Sequence, residues 1–230
     1  MTNEKLLKTL KEMVLLLNEE DLQSYNFAMN HPTENFIGCS FFGMRFAALV
    51  NIVQNEIYEN EAKKLGKKAT LQAAKRILKN IRISNEALRY AKTRNGKQYI
   101  CDGVAAVVLN TPIKSLPECP DTLLYPDINA LIPKFKDTPL TLPNLASLKA
   151  YVKIKKAKKE YDSKHNEIFY DFGDNLPLVN AEYLINVLDL LGDCRAMVAR
   201  GMLYFESENG VGVLCGIHPL EGYIRHKTEI

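Results

Sequence analysis

The chain has 230 residues, of which 47% are hydrophobic and 25% are charged, a composition that predicts a globular protein with a sizeable core. Its apolar runs are far shorter than the roughly 20 residues that a membrane-spanning helix needs, so no membrane contact is expected. Net charge is +3, but residues 1–65 carry six Lys or Arg against nine Asp or Glu, and residues 66–230 carry 24 against 18. This asymmetry predicts two domains, 1–65 and 66–230, with any anion-binding surface in the second.

The N-terminal part predicts a small helical unit. Apolar residues at helical spacing predict an amphipathic helix over residues 4–18, and its charges argue against a signal peptide. A second helix is predicted over residues 21–30 and ends at His31-Pro32. A third is predicted over residues 45–64, and the side chains expected on its inner face are Phe46, Leu49, Val50, Val53 and Ile57.

The next part predicts a helix followed by a hairpin. Thr70 is expected to cap a helix that continues through Asn80. Strands are predicted over residues 87–91 and 98–109, on either side of Arg94-Asn95-Gly96-Lys97, a sequence that type I′ turns prefer. The proline-rich stretch that follows, residues 111–143, is expected to form only short elements that wrap the surface.

The C-terminal part predicts two helices and several strands. A lysine-rich helix is predicted from residue 145 to about residue 160. The closing helix is better specified, because Asn180 is a good N-cap and Gly192 suits the left-handed C-terminal position. Polar residues beyond Pro219 are expected to be loose. The predicted strands are 167–172, 194–199, 202–207 and 211–217, the last two joined by a hairpin at Asn209-Gly210.

No combination of residues predicts catalysis, a metal site or a cofactor. Asp171-Phe172-Gly173 matches a kinase tripeptide, but the glycine-rich loop, the Val-Ala-Ile-Lys strand and the His-Arg-Asp loop are missing. The four histidines lack metal-ligand spacing. Cys215 lies in an apolar strand pattern, so a nucleophilic pair with His218 is not expected. The five cysteines form an odd set without Cys-x-x-Cys spacing, which predicts free thiols and a cytoplasmic location.

Two groups of basic residues are the candidate nucleic-acid contacts. A positive stripe neutralises phosphates without reading base sequence. The alternative interpretation is a solvated helix face, because lysine is common on exposed helices, and both interpretations stay open. The first group is Lys75, Arg76 and Lys79, and the second is Lys149, Lys153, Lys155, Lys156, Lys158 and Lys159.

The order of one helix followed by strands occurs twice, from Thr70 to Leu109 and from Asn180 to Ile217, which predicts an α+β domain of two similar halves. Within residues 66–218 this pattern resembles the sliding DNA clamp, the processivity subunit of replicative polymerases. Cys101-Asp102-Gly103-Val104-Ala105 resembles the Thr-Asp-Gly strand signature of the clamp, and residues 183–214 resemble its closing helix and final hairpin. The C-terminal part also resembles uncharacterised proteins of prophages and mobile elements in Gram-positive bacteria.

The clamp resemblance implies a fold and a partner. Clamp domains are built from two βαβββ halves whose helices face DNA, and one such domain would need further copies or another protein to complete a ring. The resemblance therefore implies a clamp-like domain, DNA as a partner and a homo-oligomer. The closing helix departs from the family pattern, because Glu182 and Asp189 make it acidic.

The functional prediction is a non-enzymatic accessory protein of DNA replication or of a mobile element, with DNA and a protein of that system as partners. The alternative prediction is a protein-interaction module that does not bind nucleic acid. In that case the lysines only confer solubility, and the N-terminal apolar helices recruit the partner.

Overall fold

A computed structural model of the chain describes residues 2–30, 38–80, 83–133, 135, 140–163, 165–173, 176–217 and 225–230. The architecture is α+β, as the sequence predicts. Across these residues there are six α-helices, a six-stranded antiparallel sheet and a separate two-stranded sheet. The chain forms two compact units, Met1–Lys68 and Ala69–Ile230.

The first unit is helical. Thr2 caps its first helix by accepting a hydrogen bond from the backbone N–H of Lys5. Its core contains Leu10, Tyr25, Phe46, Ala47, Val50 and Val53. The expected inward position of Leu49 is wrong, because this side chain is 44% exposed at the margin of the face that packs into the core. The predicted break at His31-Pro32 lies outside the described residues. The three helices are α1 (Asn3–Val14), α2 (Glu19–Asn30) and α3 (Phe41–Lys64).

The second unit combines three helices with both sheets. Its helices are α4 (Lys68–Lys79, which begins at the boundary between the units), α5 (Leu145–Lys158) and α6 (Ala181–Leu191). Its strands are β1 (Lys92–Arg94), β2 (Lys97–Cys101), β3 (Ala105–Leu109), β4 (Phe169–Asp171), β5 (Leu178–Asn180), β6 (Arg195–Ala199), β7 (Met202–Ser207) and β8 (Gly210–Cys215). Short 3-10 helices cover Glu86–Arg89 and Ile128–Leu131.

The large sheet has the strand order β1-β2-β3-β8-β7-β6, and β4 pairs with β5 in the small sheet. The large sheet consists of two three-stranded meanders, β1-β2-β3 preceded by α4 and β6-β7-β8 preceded by α6. The meanders join where β3 pairs with β8, with Val107 opposite Gly212. The strand β5 directly precedes α6, whereas no described strand precedes α4. The two halves are therefore similar in their strands and differ in this additional element.

Three local predictions in the first half are wrong. The helix α4 begins at Lys68, so Thr70 lies inside it and does not cap it. The segment predicted as a strand over 87–91 is mostly the 3-10 helix Glu86–Arg89. The predicted strand 98–109 is two antiparallel strands, because the Asp102 carboxylate accepts hydrogen bonds from the backbone N–H groups of Val104 and Ala105 at 2.9 and 2.8 Å. This local bonding turns the chain between β2 and β3.

The two predicted hairpins have different outcomes. The one at Asn95-Gly96 is confirmed, because Arg94 pairs with Lys97 and both turn residues have positive φ. The one predicted at Asn209-Gly210 is displaced by one residue, because Ser207 pairs with Gly210. The turn is therefore formed by Glu208 and Asn209, and Gly210 is the first residue of β8.

The helix α6 packs on one region of the large sheet, where it contacts β3, β7 and β8, and it also contacts α5. Both predicted ends of α6 are confirmed. The side-chain oxygen of Asn180 accepts hydrogen bonds from Glu182 N and Tyr183 N, and Gly192 is the C-cap with φ +70°.

The proline-rich segment packs against the sheet and contacts both of its edge strands. Cys119, Tyr125 and Ile128 of this segment join a core cluster with residues of β2, β3, β6, β7 and β8. Near β1, Ala91 exchanges backbone hydrogen bonds with Pro117 and Cys119. Beside β6, Leu140 N donates to Ala196 O at 2.8 Å. The segment therefore contributes to the core as well as wrapping the surface.

The C-terminal residues 225–230 are partly anchored, so the expectation of a loose tail is wrong for them. The Arg225 guanidinium forms two hydrogen bonds with the Asp171 carboxylate and also donates to Gly173 O at 3.0 Å and Leu176 O at 2.8 Å. Asp171 N donates to Thr228 Oγ1, and Thr228 N donates to Asp171 O. Asp171, from the kinase-like tripeptide, therefore anchors the tail.

Candidate nucleic-acid interface

The lysine-rich helix α5 is held to α6 by two ion pairs. Lys149 Nζ lies 2.6 Å from Asp189 Oδ1, and Lys156 Nζ lies 2.6 Å from Glu182 Oε1. The Asp189 side chain is only 6% exposed, so its charge is largely removed from water and is balanced by Lys149. Two of the six predicted phosphate contacts on α5 therefore neutralise acids of the neighbouring helix.

The other lysines of α5 fall into two groups. Lys155 lies within 4.0 Å of Glu160 and Asp162, and Lys158 lies 4.0 Å from Glu160. Lys153 and Lys159 are exposed and have no ion pair among the described residues. The predicted positive stripe is therefore interrupted by acids along most of its length.

The pairing of α5 with α6 could have been suspected from the sequence. Lys149 and Lys156 are seven residues apart, and so are Glu182 and Asp189. Residues seven apart lie on the same face of a helix, so two helices with this spacing of opposite charges can pair along one seam. The observed partners, with Lys149 at Asp189 and Lys156 at Glu182, correspond to an antiparallel arrangement of the two helices.

The basic group on α4 has a different environment. Arg76 and Lys79 are exposed and Lys75 is half-buried, and the helix contains no Asp or Glu. Arg76 Nη1 donates to Asn186 Oδ1 of α6 at 3.4 Å, which is a contact with a neutral amide. At the end of α4, Tyr183 OH of α6 donates to Asn80 O. The helix α4 therefore lies beside α6 and keeps exposed positive charge that no acid of its own helix balances.

The described residues contain no group of three His, Cys, Asp or Glu side chains that could hold a metal ion. The Asp171 carboxylate of the kinase-like tripeptide is buried and is bound by Arg225. Nor is any helix in the described ranges both long and apolar enough to cross a membrane.

All five cysteines are free thiols, and burial makes several of them poor nucleophiles. Burial raises the pKa of the Cys101 thiol and of the Cys194 thiol to about 11. Burial also raises the pKa of Cys215, the thiol that was weighed as a nucleophile. His218 lies outside the described residues. Because the thiolate is the reactive form, a raised pKa makes these thiols unreactive near neutral pH and indicates a structural role for them.

We expect the buried thiols to react slowly with a disulfide reagent in the native protein. At pH 8 a thiol of pKa 11 is about 0.1% thiolate, so the buried Cys101 should react only when the fold opens, and the half-buried Cys194 should react slowly. Ellman's reagent at pH 8, with and without denaturant, measures this. The variant Cys39→Ser is the reference, because Cys39 is only half-buried in the first unit. Rapid release of several thiols from the native variant would contradict the expectation.

Comparison of the chain with protein-family models, with curated proteins and with solved structures finds no match.

Proposed function

We propose that this protein is a non-enzymatic, cytoplasmic accessory protein that contacts DNA through α4, in replication or in a mobile element. The observation that carries the proposal is the contrast between its two basic helices. The lysines of α5 are largely matched by Glu160, Asp162, Glu182 and Asp189. On α4, Arg76 and Lys79 are exposed and form no ion pair among the described residues. Exposed, unbalanced cations are the groups that displace counterions from phosphates.

The repeated half of the fold also supports α4 as the helix that contacts DNA. In a sliding clamp the helices of both halves face DNA, and the corresponding helices here are α4 and α6. The helix α6 is acidic and is bound by α5 through Lys149 and Lys156, so it does not suit a phosphate backbone. Of the two repeated helices, α4 alone has the charge that the resemblance implies.

The sheet edges favour a discrete DNA-contacting unit over a ring of continuous sheets. Growth of a sheet by strand addition requires free backbone groups on an edge strand. At one edge, Ala91 N and O are bonded to the proline-rich segment and Thr93 N donates to the Glu118 carboxylate. At the other edge, Ala196 O accepts from Leu140 N. Extending the sheet at these positions would require the proline-rich segment to move.

We expect DNA affinity to depend on α4 more than on α5. In K75Q/R76Q/K79Q, affinity for mixed-sequence DNA at low salt should fall at least about 10-fold, and the salt dependence should weaken, because the exposed positive charge of α4 is removed. The matched variant K153Q/K158Q/K159Q also removes three positive charges and should stay within about 3-fold of the parent. Fluorescence anisotropy with duplex and single-stranded DNA at two salt concentrations measures both.

Two outcomes would contradict the DNA proposal. Equal losses in the two variants would contradict the assignment to α4. No binding of either DNA by the parent protein at low salt would contradict nucleic-acid binding altogether. Circular dichroism of each variant excludes unfolding as the cause of a loss.

A protein-interaction module is the second candidate function, and one observation favours it. The first unit exposes large apolar side chains, of which Leu15 and Leu16 after α1 are more than 80% exposed. Beside them, Leu7, Leu15 and Ile57 line an open groove of about 490 Å³. Exposed apolar patches of this kind are typical of interaction sites. Failure of the parent protein to bind DNA at low salt would favour this function over the first.

A further inference from the structure

The helix α3 is apolar on two adjacent faces, and the core of the first unit uses only one of them. Phe46, Val50 and Val53 are buried in that core. On the other face lie Phe41, Phe42, Leu49 and Ile52, each between 44% and 72% exposed. Four large apolar side chains along one helix face exceed the scattered exposure that is normal on a surface.

The outward face also has the spacing of a two-helix seam. Phe42, Arg45, Leu49, Ile52 and Glu56 follow one another at intervals of three, four, three and four residues. This is the spacing of the a and d positions in a coiled coil, where side chains of one helix fit between those of another. The helix has 24 residues, or about 36 Å, so the seam occupies only part of its length.

We propose that α3 packs against α3 of a second copy of this chain in an antiparallel pair. With a two-fold axis between Val50 and Asn51, Leu49 lies opposite Ile52 of the second copy. In the same register, Arg45 lies opposite Glu56 of the second copy, and symmetry repeats both contacts. The pair is thus apolar at its centre and carries an opposite-charge contact on each side, as a self-complementary two-fold interface requires.

The two charged side chains are already held at this face in the single chain. The Arg45 guanidinium carbon lies 4.8 Å from the centre of the exposed Phe41 ring. Asn3 Nδ2 of α1 donates to Glu56 Oε2 at 2.9 Å. Because both groups are positioned before association, less side-chain freedom is lost when they meet.

The size of the face sets the expected strength of the pair. The four apolar side chains contribute on the order of 100 Å² each, so their burial in both copies removes roughly 800 Å² from water. Arg45, Glu56 and the small side chains around them bring the total to the lower end of specific interfaces, about 1,200 Å². An interface of this size fits a reversible dimer. Dimerisation does not depend on DNA binding, because α3 belongs to the first unit and the proposed DNA contact lies in the second.

We expect the full chain to sediment as a concentration-dependent dimer, at twice its mass of 26.0 kDa. Analytical ultracentrifugation over about 1 to 100 µM covers the range that suits such an interface. L49E/I52E should be monomeric over this range, because a dimer of this variant would bury four negative charges at the centre of the interface. I154E is the matched control, because Ile154 on α5 is 54% exposed, close to the 57% of Ile52, and it should leave the dimer unchanged.

Charge exchange tests the register itself. R45E places Glu opposite Glu56, and E56R places Arg opposite Arg45, so each single variant should weaken the dimer at least about 10-fold. The double variant R45E/E56R restores opposite charges and should return to within about 3-fold of the parent. A parent protein that stays monomeric, an L49E/I52E variant that still dimerises, or a double variant no better than the singles would overturn the proposal.

Discussion

Replacing Arg225 with alanine should lower the free energy of unfolding of the second unit by about 3 kcal/mol, because it leaves a buried carboxylate without its cation. The Asp171 side chain is 2% exposed and is bound by both arms of the Arg225 guanidinium. The same arginine also satisfies Gly173 O and Leu176 O. Chemical denaturation followed by circular dichroism measures the loss.

Arg195→Ala is the matched control, because Arg195 also donates two hydrogen bonds to a carboxylate, both to Oε2 of Glu206, but in an exposed position. An exposed pair of this kind contributes about 1 kcal/mol or less. A loss for Arg225→Ala no larger than that for Arg195→Ala would contradict the role given to the buried pair.

The effect of Arg225→Ala should depend on pH. Burial acts to raise the pKa of Asp171, but hydrogen bonds from Arg225 and from Gly173 N, with the arginine charge, hold it below the usual value. A depressed carboxyl pKa gives stability that is present above the unfolded pKa of about 3.9 and is lost as pH falls through the lower folded pKa. The stability that the Asp171–Arg225 pair gives the parent should therefore be full near neutral pH and shrink below about pH 4.

Gly210→Ala should destabilise the second unit by about 3 kcal/mol or more, through backbone strain and overlap together. A methyl group at this position would lie 2.0 Å from Val108 O, and Gly210 has φ +150°, which side chains rarely adopt. The clash falls where β3 joins β8, so both halves of the sheet are affected. Denaturation measures the loss, and hydrogen exchange should show faster exchange in β3.

The control for Gly210→Ala is Gly201→Ala. Gly201 also has a positive φ, +73°, but nothing lies within 4 Å of its added methyl group. Strain alone should cost about 1 kcal/mol there. Equal losses in the two variants would indicate that strain, and not the contact with Val108, decides the effect at Gly210.

The elements that could be predicted are those whose signals are local. Asn180 and Gly192 mark the ends of α6, and Asn95-Gly96 marks the first hairpin, because in each case the residue itself satisfies the backbone or adopts the required φ. The division between β2 and β3 could not be predicted from the sequence pattern. All five residues of β3 are buried, so the strand shows no alternation that would separate it from its neighbour.

The candidate site depended on contacts that a single segment does not reveal. The lysines of α5 suggested a phosphate-binding stripe, but whether a lysine meets water or an acid is decided by the helix that packs beside it. Asp189 and Glu182 lie 40 and 26 residues from the lysines that they pair with. The course of the proline-rich segment is set in the same way, by a sheet whose outer strands come from opposite ends of the second unit.

The join between β3 and β8 has a consequence for how the chain folds during its synthesis. Every residue of β3 pairs with a residue more than 100 positions later in the chain. Until β8 has been made, the first meander ends in a fully apolar strand whose outer edge has no partner, and such edges associate readily with other chains. Closing a contact of this range is also slow. The nascent second unit should therefore be at its most aggregation-prone between the synthesis of residue 109 and that of residue 215.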